Sequence, residues 1–197
     1  PPGTAFHYST QGFTVAAAAA EAVTGKPFAV LVRELAGKPT GAYSLAVEDR
    51  RIPNPHRADL FARVVDENVP VRPDDISWKG GGGGMEASAP DLARWAWAFA
   101  SGKIVKPETR DRAWTRASIP GQDPGTYGLG WAIGEWRGER LIEHSGGQLG
   151  ARSHLLVLPD RGVVVAVLTN QNLNQPRTLA LGLAELALES AGEPGSR

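Results

Sequence analysis

Near the last quarter of the chain, residues His144 to Gly150 read HSGGQLG. The segment combines an imidazole, a hydroxyl group and two adjacent glycines, and it lies between two stretches that are typical of strands. Glycine has no side chain, so Gly146 and Gly147 would let another group approach the backbone closely. Histidine changes its protonation near neutral pH, which suits it to proton transfer. The segment therefore indicates a site on a loop or strand edge, without identifying what binds there.

Two other kinds of chemistry are weaker interpretations of this sequence. A glycine run at Gly80 to Gly84 precedes a predicted helix, but it lacks the lysine and hydroxyl residue of a phosphate-binding loop. We interpret the run as backbone that passes close to a helix or sheet. The four histidines, His7, His56, His144 and His154, show no helical i, i+4 pair and no compact ligand cluster, so the sequence predicts no metal site.

Composition excludes several classes of protein. The 197 residues include 21 basic and 21 acidic side chains that are interspersed, which argues against a nucleic-acid partner. No apolar run approaches the roughly 20 residues that cross a bilayer, so no membrane span is predicted. Cysteine is absent, so disulfides and a cysteine nucleophile are excluded. The sequence does not decide the cellular compartment.

Apolar periodicity predicts helices in the first part of the chain and near its end. Gly25 would end the first helix, Gly37 would end the second, and Ser88 would cap a third together with Asp91. The proline-rich residues 38–79 are predicted to be mostly loop. The predicted helices are residues 11–25, 27–37, 85–102, 107–117 and 177–190. Their predicted buried positions are Val15, Ala19 and Val23; Phe28, Leu31, Val32 and Leu35; Leu92, Trp95, Ala96 and Phe99; and Leu179, Leu183, Leu186 and Ala187.

Four segments rich in β-branched and aromatic residues predict a sheet in the last part of the chain. They are residues 127–138, 139–145, 151–160 and 162–170. Short connections with turn residues make neighbouring strands antiparallel. The last helix would pack on this sheet.

Three stretches together resemble one family. PGTAFHYSTQGFTV, followed by a helix and VTG, resembles the PGT-x-F-x-Tyr-Ser-Asn-x-Gly-Tyr segment of serine β-lactamase-like and penicillin-binding proteins. This family includes class C β-lactamases, family VIII esterases and D-aminopeptidase-like proteins. GGGGMEASAPDLARW resembles its glycine-rich entry to a helix, and HSGG resembles its Lys-Thr-Gly or His-x-Gly motif, followed by a hairpin and VVVAVLTN. The motifs occur in the family's order over nearly the whole chain.

Two features depart from the family pattern. Thr10 stands where the family usually has Asn. No serine in this chain has a lysine three residues later, although family members attack with the serine of a Ser-x-x-Lys motif that precedes the Tyr motif. The resemblance therefore implies a partner, an N-terminal segment of the same protein that carries Ser-x-x-Lys, and an inactive chain when that segment is missing.

The resemblance also implies roles for particular residues. Tyr8 would transfer the proton of the serine, His144 would lie across the cleft from it, and the backbone N–H of Gly147 would be an oxyanion-hole donor. Because neutral histidine replaces a fixed cation, esters are favoured over substrates with a carboxylate, although Arg152 could restore carboxylate binding. The implied substrate-binding residues are Thr10, Ser145, Gly146 and Arg152.

The implied fold class is α/β, of the α+β kind. This fold is β-lactamase/transpeptidase-like, with an antiparallel sheet flanked by helices and an additional helical subdomain. The chain would lack the N-terminal segment of that fold. Residues 1–118 would form a mainly helical region with loops, and residues 119–197 would form the strands and the C-terminal helix. The implied function is that of the C-terminal part of a serine hydrolase, which acts on the ester or amide carbonyl of a small molecule, a β-lactam included, through an acyl-serine intermediate and without any cofactor. The alternative is a non-catalytic binding domain or pseudoenzyme of the same fold.

Overall fold

The first helix begins and ends close to where the sequence predicts. The computed structural model describes residues 3–122, 125–172 and 175–192. Helix α1 spans Thr10–Thr24, and the hydroxyl of Ser9 caps it by accepting a hydrogen bond from the backbone N–H of Gly12 at 3.0 Å. Gly25 follows in the left-handed conformation with φ 66°, which confirms the predicted C-cap.

The second predicted helix is longer than expected, and its hydrogen-bond pattern changes along its length. It consists of three consecutive segments, α2 (Phe28–Leu31), a π-helical turn (Val32–Gly37) and α3 (Lys38–Thr40). The predicted stop at Gly37 is wrong, since the left-handed residue that ends the helix is Gly41. The i→i+5 hydrogen bonds of a π-helix underwind the chain, so Leu35 turns away from the core. Its side chain is 66% exposed, although the sequence places it on the buried face.

Short strands that the sequence analysis missed occur in and beside residues 38–79. Strands β2 (Phe61–Val64) and β3 (Glu67–Pro70) form an antiparallel hairpin. Strand β1 (Ala46–Val47) pairs with β4 (Met85–Glu86). Strands of two to four residues are too short to show an alternating pattern. The N-terminal part of the chain is therefore not built from helices and loops alone.

Helix α4 (Ala89–Ala100) has the predicted N-cap, with the Ser88 hydroxyl 3.4 Å from the backbone nitrogen of Asp91. The predicted capping box does not form. The Asp91 carboxylate instead accepts hydrogen bonds from the backbone N–H and the hydroxyl of Ser44, at 2.8 and 2.7 Å. These bonds tie the helix to the loop before β1. Helix α5 (Pro107–Ala113) is shorter than predicted.

Four antiparallel strands form the main sheet in the order β5-β6-β7-β8. They are β5 (Ala132–Trp136), β6 (Glu139–Gln148), β7 (Ala151–Leu158) and β8 (Val163–Thr169). The turn between β5 and β6 holds Arg137 and Gly138 at φ 53° and 78°, as a type I′ hairpin requires. The predicted antiparallel arrangement is confirmed.

Two apolar cores cover opposite faces of this sheet. On one face, α4 and α5 pack against the sheet through an aromatic cluster, and the predicted inward residues of α4 all belong to this core: Leu92, Trp95, Ala96 and Phe99. On the other face lies helix α6 (Pro176–Gly192). The sheet residues Leu141, Leu156 and Leu158 pack there against α6.

The face of α6 that meets the sheet differs from the predicted one. Ala180 and Ala184 are fully buried against the strands. The predicted leucine stripe points outward, with Leu179, Leu183 and Leu186 exposed by 54%, 42% and 58%. Both stripes have helical spacing, so periodicity alone could not choose between them, whereas alanine allows the helix to approach the sheet closely.

Apolar surface also stays uncovered on α1 and at the outer edge of the sheet. None of the side chains of α1 is buried, and Val15 and Val23 are exposed by 68% and 87%. Strand β8 pairs with β7 on one side, and within the described ranges no strand pairs with its other edge. Among described residues no single helix is long and apolar enough to cross a membrane, but one bent pair, Thr10–Thr24 with Phe28–Thr40 at 83°, passes that test by length and composition.

Candidate active site

Strand β6 continues past the end of its neighbour β5, which leaves one of its edges open. β5 begins at Ala132, opposite Glu143, whereas β6 runs on to Gln148 and stays paired with β7 on its other side. In the part of the chain that the structure describes, no strand pairs with the open edge from His144 onward. The HSGGQ segment is therefore extended strand with a free edge rather than a loop.

The register of β6 decides which backbone groups face the open edge. In an antiparallel ladder, pairs that exchange hydrogen bonds alternate with pairs whose N–H and C=O groups point away from each other. Gln148 pairs with Ala151 across a two-residue turn, and the residues that close such a turn are hydrogen bonded. By alternation, the backbone groups of Ser145 and Gly147 point away from β7. The N–H of Gly147 is thus directed at the open edge.

Tyr8 reaches the same place from the other end of the chain. It directly precedes Ser9, the N-cap of α1, and its side chain is 60% exposed. Its ring stacks near that of His144, with centroids 6.3 Å apart and an interplanar angle of 27°. The structure thus brings together Tyr8 and His144, which the sequence connects only through the family resemblance.

Tyr127 is a site residue that the sequence analysis did not identify. Its hydroxyl oxygen lies 2.6 Å from Nε2 of His144, and its ring meets both His144 and Tyr8 edge-on with centroid distances of 5.7 Å. Its carbonyl oxygen accepts a hydrogen bond from the backbone N–H of Ala117 at 2.8 Å, which fixes the backbone. The signal in the sequence was its place in YGLGW, just before β5, which pairs with the part of β6 that precedes HSGG.

The hydrogen-bonded side chains of His144 and Tyr127 are both neutral at pH 7. Burial lowers the pKa of His144 below its usual value, a hydrogen bond with the backbone of Ser145 opposes this shift, and nearby His154 adds to it. Burial, together with the neighbouring Tyr8, raises the pKa of Tyr127 to about 12. His144 therefore offers hydrogen bonding to a ligand rather than a fixed positive charge.

An ion-pair cluster, with Glu143 and His154 largely buried and Arg177 half exposed, lies beside these rings. The Glu143 carboxylate receives three hydrogen bonds from the Arg177 guanidinium at 3.0–3.1 Å and one from His154 Nε2 at 2.9 Å. Burial raises the pKa of Glu143, but the bonds from His154 and Arg177 outweigh it and leave the pKa below its usual value. Because Glu143 is ionised, it compensates the charge of Arg177.

These groups enclose a pocket of about 220 Å³ at the open edge. It is lined by Tyr8, Tyr127, Ala132, Glu143, His144, Ser145, His154 and Arg177. A pocket with several convergent polar groups and shifted pKa values has the character of an active site. Of the implied site residues, it contains Tyr8, His144 and Ser145 among its lining side chains.

Four other implied site residues, Thr10, Gly146, Gly147 and Arg152, do not line this pocket. Thr10 is the first residue of α1 and packs against the glycine run. Arg152 folds over its own hairpin, since its Nη1 donates hydrogen bonds at 2.8 Å to the carbonyl oxygens of Gln148 and Ala151. Gly146 is needed for space, because an added Cβ would lie 2.3 Å from the Ser153 hydroxyl.

The glycine run Gly80 to Gly84 passes close to α1, as the sequence analysis inferred. An added Cβ at Gly81 would lie 2.5 Å from the Ala17 Cβ, and one at Gly82 would lie 2.4 Å from the Thr10 carbonyl oxygen. Just before the run, Lys79 donates a hydrogen bond to the Gln148 side chain at 3.1 Å. The run therefore holds the start of α1, and Tyr8 with it, beside the end of β6.

Known proteins resemble this chain in both sequence and fold. The Beta-lactamase family profile matches residues 1–189. The chain is 27% identical over 181 residues to the unguisins hydrolase of Aspergillus campestris, covering 86% of this chain and 34% of that protein. It is 25% identical over 250 residues to the mitochondrial serine beta-lactamase-like protein LACTB of Mus musculus, covering 98% and 41%.

Solved structures show the same architecture. The octameric penicillin-binding protein homologue from Pyrococcus abyssi superimposes with a TM-score of 0.82 at 23% identity, covering 95% of this chain and 44% of that one. These matches show a β-lactamase/transpeptidase-like fold. The chain spans between about a third and a half of the length of the curated relatives it matches.

Proposed function

This chain belongs to the beta-lactamase family of serine hydrolases, and we propose that it is the C-terminal part of an enzyme that attacks ester or amide carbonyls through an acyl-serine intermediate. The observation that carries the proposal is that Tyr8 and His144, far apart in sequence, line one pocket beside the open edge of β6. The edge accepts a carbonyl group, and the tyrosine and histidine can move or hold protons next to it.

Each step of the proposed reaction has a residue to serve it. A serine oxygen attacks the carbonyl carbon while Tyr8, as a phenolate favoured by the lysine of the Ser-x-x-Lys motif, accepts the serine proton, and the Gly147 N–H stabilises the developing oxyanion. Tyr8 then returns the proton to the leaving group as the bond to the carbonyl carbon breaks. Water attacks the acyl-serine in the second half, so that the acid is released and the serine is regenerated.

We propose that the attacking serine belongs to a Ser-x-x-Lys motif on an N-terminal segment outside these 197 residues. No serine of this chain has lysine at the required spacing. The uncovered side chains of α1, the outward leucines of α6 and the unpaired edge of β8 together offer apolar surface and backbone groups for such a segment. The greater length of the curated relatives also supports this partner.

The electrostatics of the pocket favour substrates without a carboxylate near the scissile bond. Among the described residues that line it, the one guanidinium, Arg177, is already paired with Glu143, and His144 is neutral at pH 7. Arg152 binds carbonyl groups of its own hairpin. We therefore propose esters and uncharged amides as substrates ahead of β-lactams and peptide C-termini. The name of one relative, an unguisins hydrolase, supports a hydrolytic reaction.

The test of this proposal uses the full-length protein that contains this chain. Tyr8→Phe removes one hydroxyl, so we expect an unchanged melting temperature and kcat/KM for a p-nitrophenyl ester lowered by about 10²–10⁴, the usual effect of a positioned proton-transfer group. Tyr43→Phe is the matched control, because Tyr43 is 79% exposed and does not line the pocket. Unchanged kcat/KM in folded Tyr8→Phe would remove Tyr8 from the mechanism.

A second measurement separates the enzyme from a non-catalytic domain of the same fold. A fluorophosphonate should label the full-length protein at one serine, whereas residues 1–197 alone should stay unlabelled. His144→Ala should lower kcat/KM, and His56→Ala should not, because His56 is exposed and does not line the pocket. Absence of labelling of the full-length protein would favour the binding domain, and labelling of the isolated chain would place the nucleophile within it.

A further inference from the structure

We propose that Tyr127 is a positioning residue of this site. Its hydroxyl donates a hydrogen bond to Nε2 of His144 and thereby fixes both the tautomer and the orientation of the imidazole. The inference deepens the proposed function, since it says how His144 is held for use. It starts from the shortest polar contact in the pocket, the 2.6 Å between the Tyr127 hydroxyl and Nε2.

The contacts of His144 decide which nitrogen carries the hydrogen. A neutral imidazole has one N–H and one lone pair. The phenol of Tyr127 keeps its hydrogen at neutral pH, and its oxygen lies 2.6 Å from Nε2 of His144, so Nε2 accepts the hydroxyl hydrogen. The single N–H of the neutral ring is then at Nδ1.

In this arrangement Nδ1 carries the hydrogen and the lone pair of Nε2 is taken by the Tyr127 hydroxyl. His144 then has no free lone pair with which to take a proton directly from a substrate. The group that faces Tyr8 is instead the Tyr127 ring, which meets the Tyr8 ring at 81° with centroids 5.7 Å apart. His144 thus acts on the reaction through Tyr127 and through its stacking on Tyr8, and not as a free base.

The surroundings of Tyr127 suit a positioning role. Its ring packs against Phe6 at 5.7 Å as well as against Tyr8, and its backbone forms an isolated bridge with Ala132 at the end of β5. These contacts involve the ring and the backbone, so they survive when only the hydroxyl is removed. Tyr127→Phe therefore isolates the hydrogen bond to His144 from the packing of the site.

The deciding experiment reads the tautomer without any substrate. Histidine-¹⁵N NMR of the full-length protein at pH 8, with His144 assigned from the spectrum of His144→Ala, should show Nδ1 protonated and Nε2 as an acceptor in the wild type. In Tyr127→Phe the pattern should shift toward the Nε2–H tautomer, because the donor to Nε2 is lost. Tyr43→Phe should leave it unchanged. A wild-type Nε2–H tautomer, or a His144 spectrum that is the same in Tyr127→Phe, would overturn the inference.

Kinetics provide the second readout. Loss of one neutral hydrogen bond that positions another group should lower kcat by about 10-fold and leave KM within about two-fold. An unchanged kcat together with an altered KM would show that Tyr127 contacts substrate instead, and would contradict a positioning role. If the wild-type protein hydrolyses nothing, the proposed function fails, whereas the tautomer measurement still decides the contact between Tyr127 and His144.

Discussion

Gly82→Ala would drive a methyl group into the start of helix α1. The added Cβ would lie 2.4 Å from the carbonyl oxygen of Thr10 and 2.7 Å from its Cγ2. Cβ atoms do not approach other atoms so closely, so either the glycine run or the first turn of α1 must move. Because the nearest atom belongs to the backbone, a change of side-chain rotamer cannot relieve the contact. Tyr8 stands two residues before Thr10 and would move with it.

The expected loss of stability follows from two opposing effects. Overpacking of a close contact costs about 1–3 kcal/mol, and a collision with backbone belongs in the upper half of that range. Alanine also lowers the conformational entropy of the unfolded chain relative to glycine, and this offsets about 0.4–1 kcal/mol of the lost stability. We expect a net loss of about 2 kcal/mol in the free energy of unfolding. For a domain of this size that corresponds to a Tm lower by about 4–8 °C.

Thermal and denaturant unfolding of the full-length protein measure this loss. Gly134→Ala in β5 is the matched control, since an added Cβ there meets no atom within 4 Å, and its Tm should stay close to that of the wild type. Adding Thr10→Ala to Gly82→Ala removes the Cγ2 contact but leaves the carbonyl oxygen, so stability should not return to the wild-type value. If Gly82→Ala has the same Tm as Gly134→Ala, the glycine run does not restrain α1 as described.

Three further substitutions test other parts of the structure, each by denaturant unfolding of the full-length protein. Ala184→Leu should cost about 1–3 kcal/mol because Ala184 is fully buried against the sheet, whereas Glu189→Ala, at an exposed position of α6 outside the leucine stripe, should cost less; the reverse order would contradict the observed face of α6. The lowered pKa of Glu143 implies stability that is fully present above its unfolded pKa near 4.5 and is lost as pH falls through the lower folded value. Glu143→Gln should abolish that acid-dependent part, and Glu67→Gln on the exposed hairpin should retain it. Ser88→Ala should cost about 1 kcal/mol through loss of the N-cap, and an unchanged midpoint would show that the Ser88 hydroxyl does not stabilise α4.

Local chemistry in the sequence was enough to predict several elements. Gly25 and Ser88 mark helix ends because a left-handed residue and a side-chain cap satisfy backbone groups that the helix itself leaves unpaired. The inward face of α4 follows from its spacing, and the antiparallel strands follow from the short turns between them. The motifs around Tyr8, the glycine run and HSGG gave the family, because their order along the chain is more specific than any one of them.

What only the tertiary structure decided depends on which neighbours each segment meets. The sequence could not choose between the leucine and alanine stripes of α6, since both have the same period and the distance to the sheet selects the smaller side chains. It could not find Tyr127, because a lone tyrosine carries no pattern until folding places its hydroxyl 2.6 Å from His144. Arg152 looked suited to bind a substrate, yet the turn beside it supplies nearer acceptors. Helical and strand periodicity and capping act over a few residues, whereas a site is assembled by contacts between residues that only the folded chain brings together.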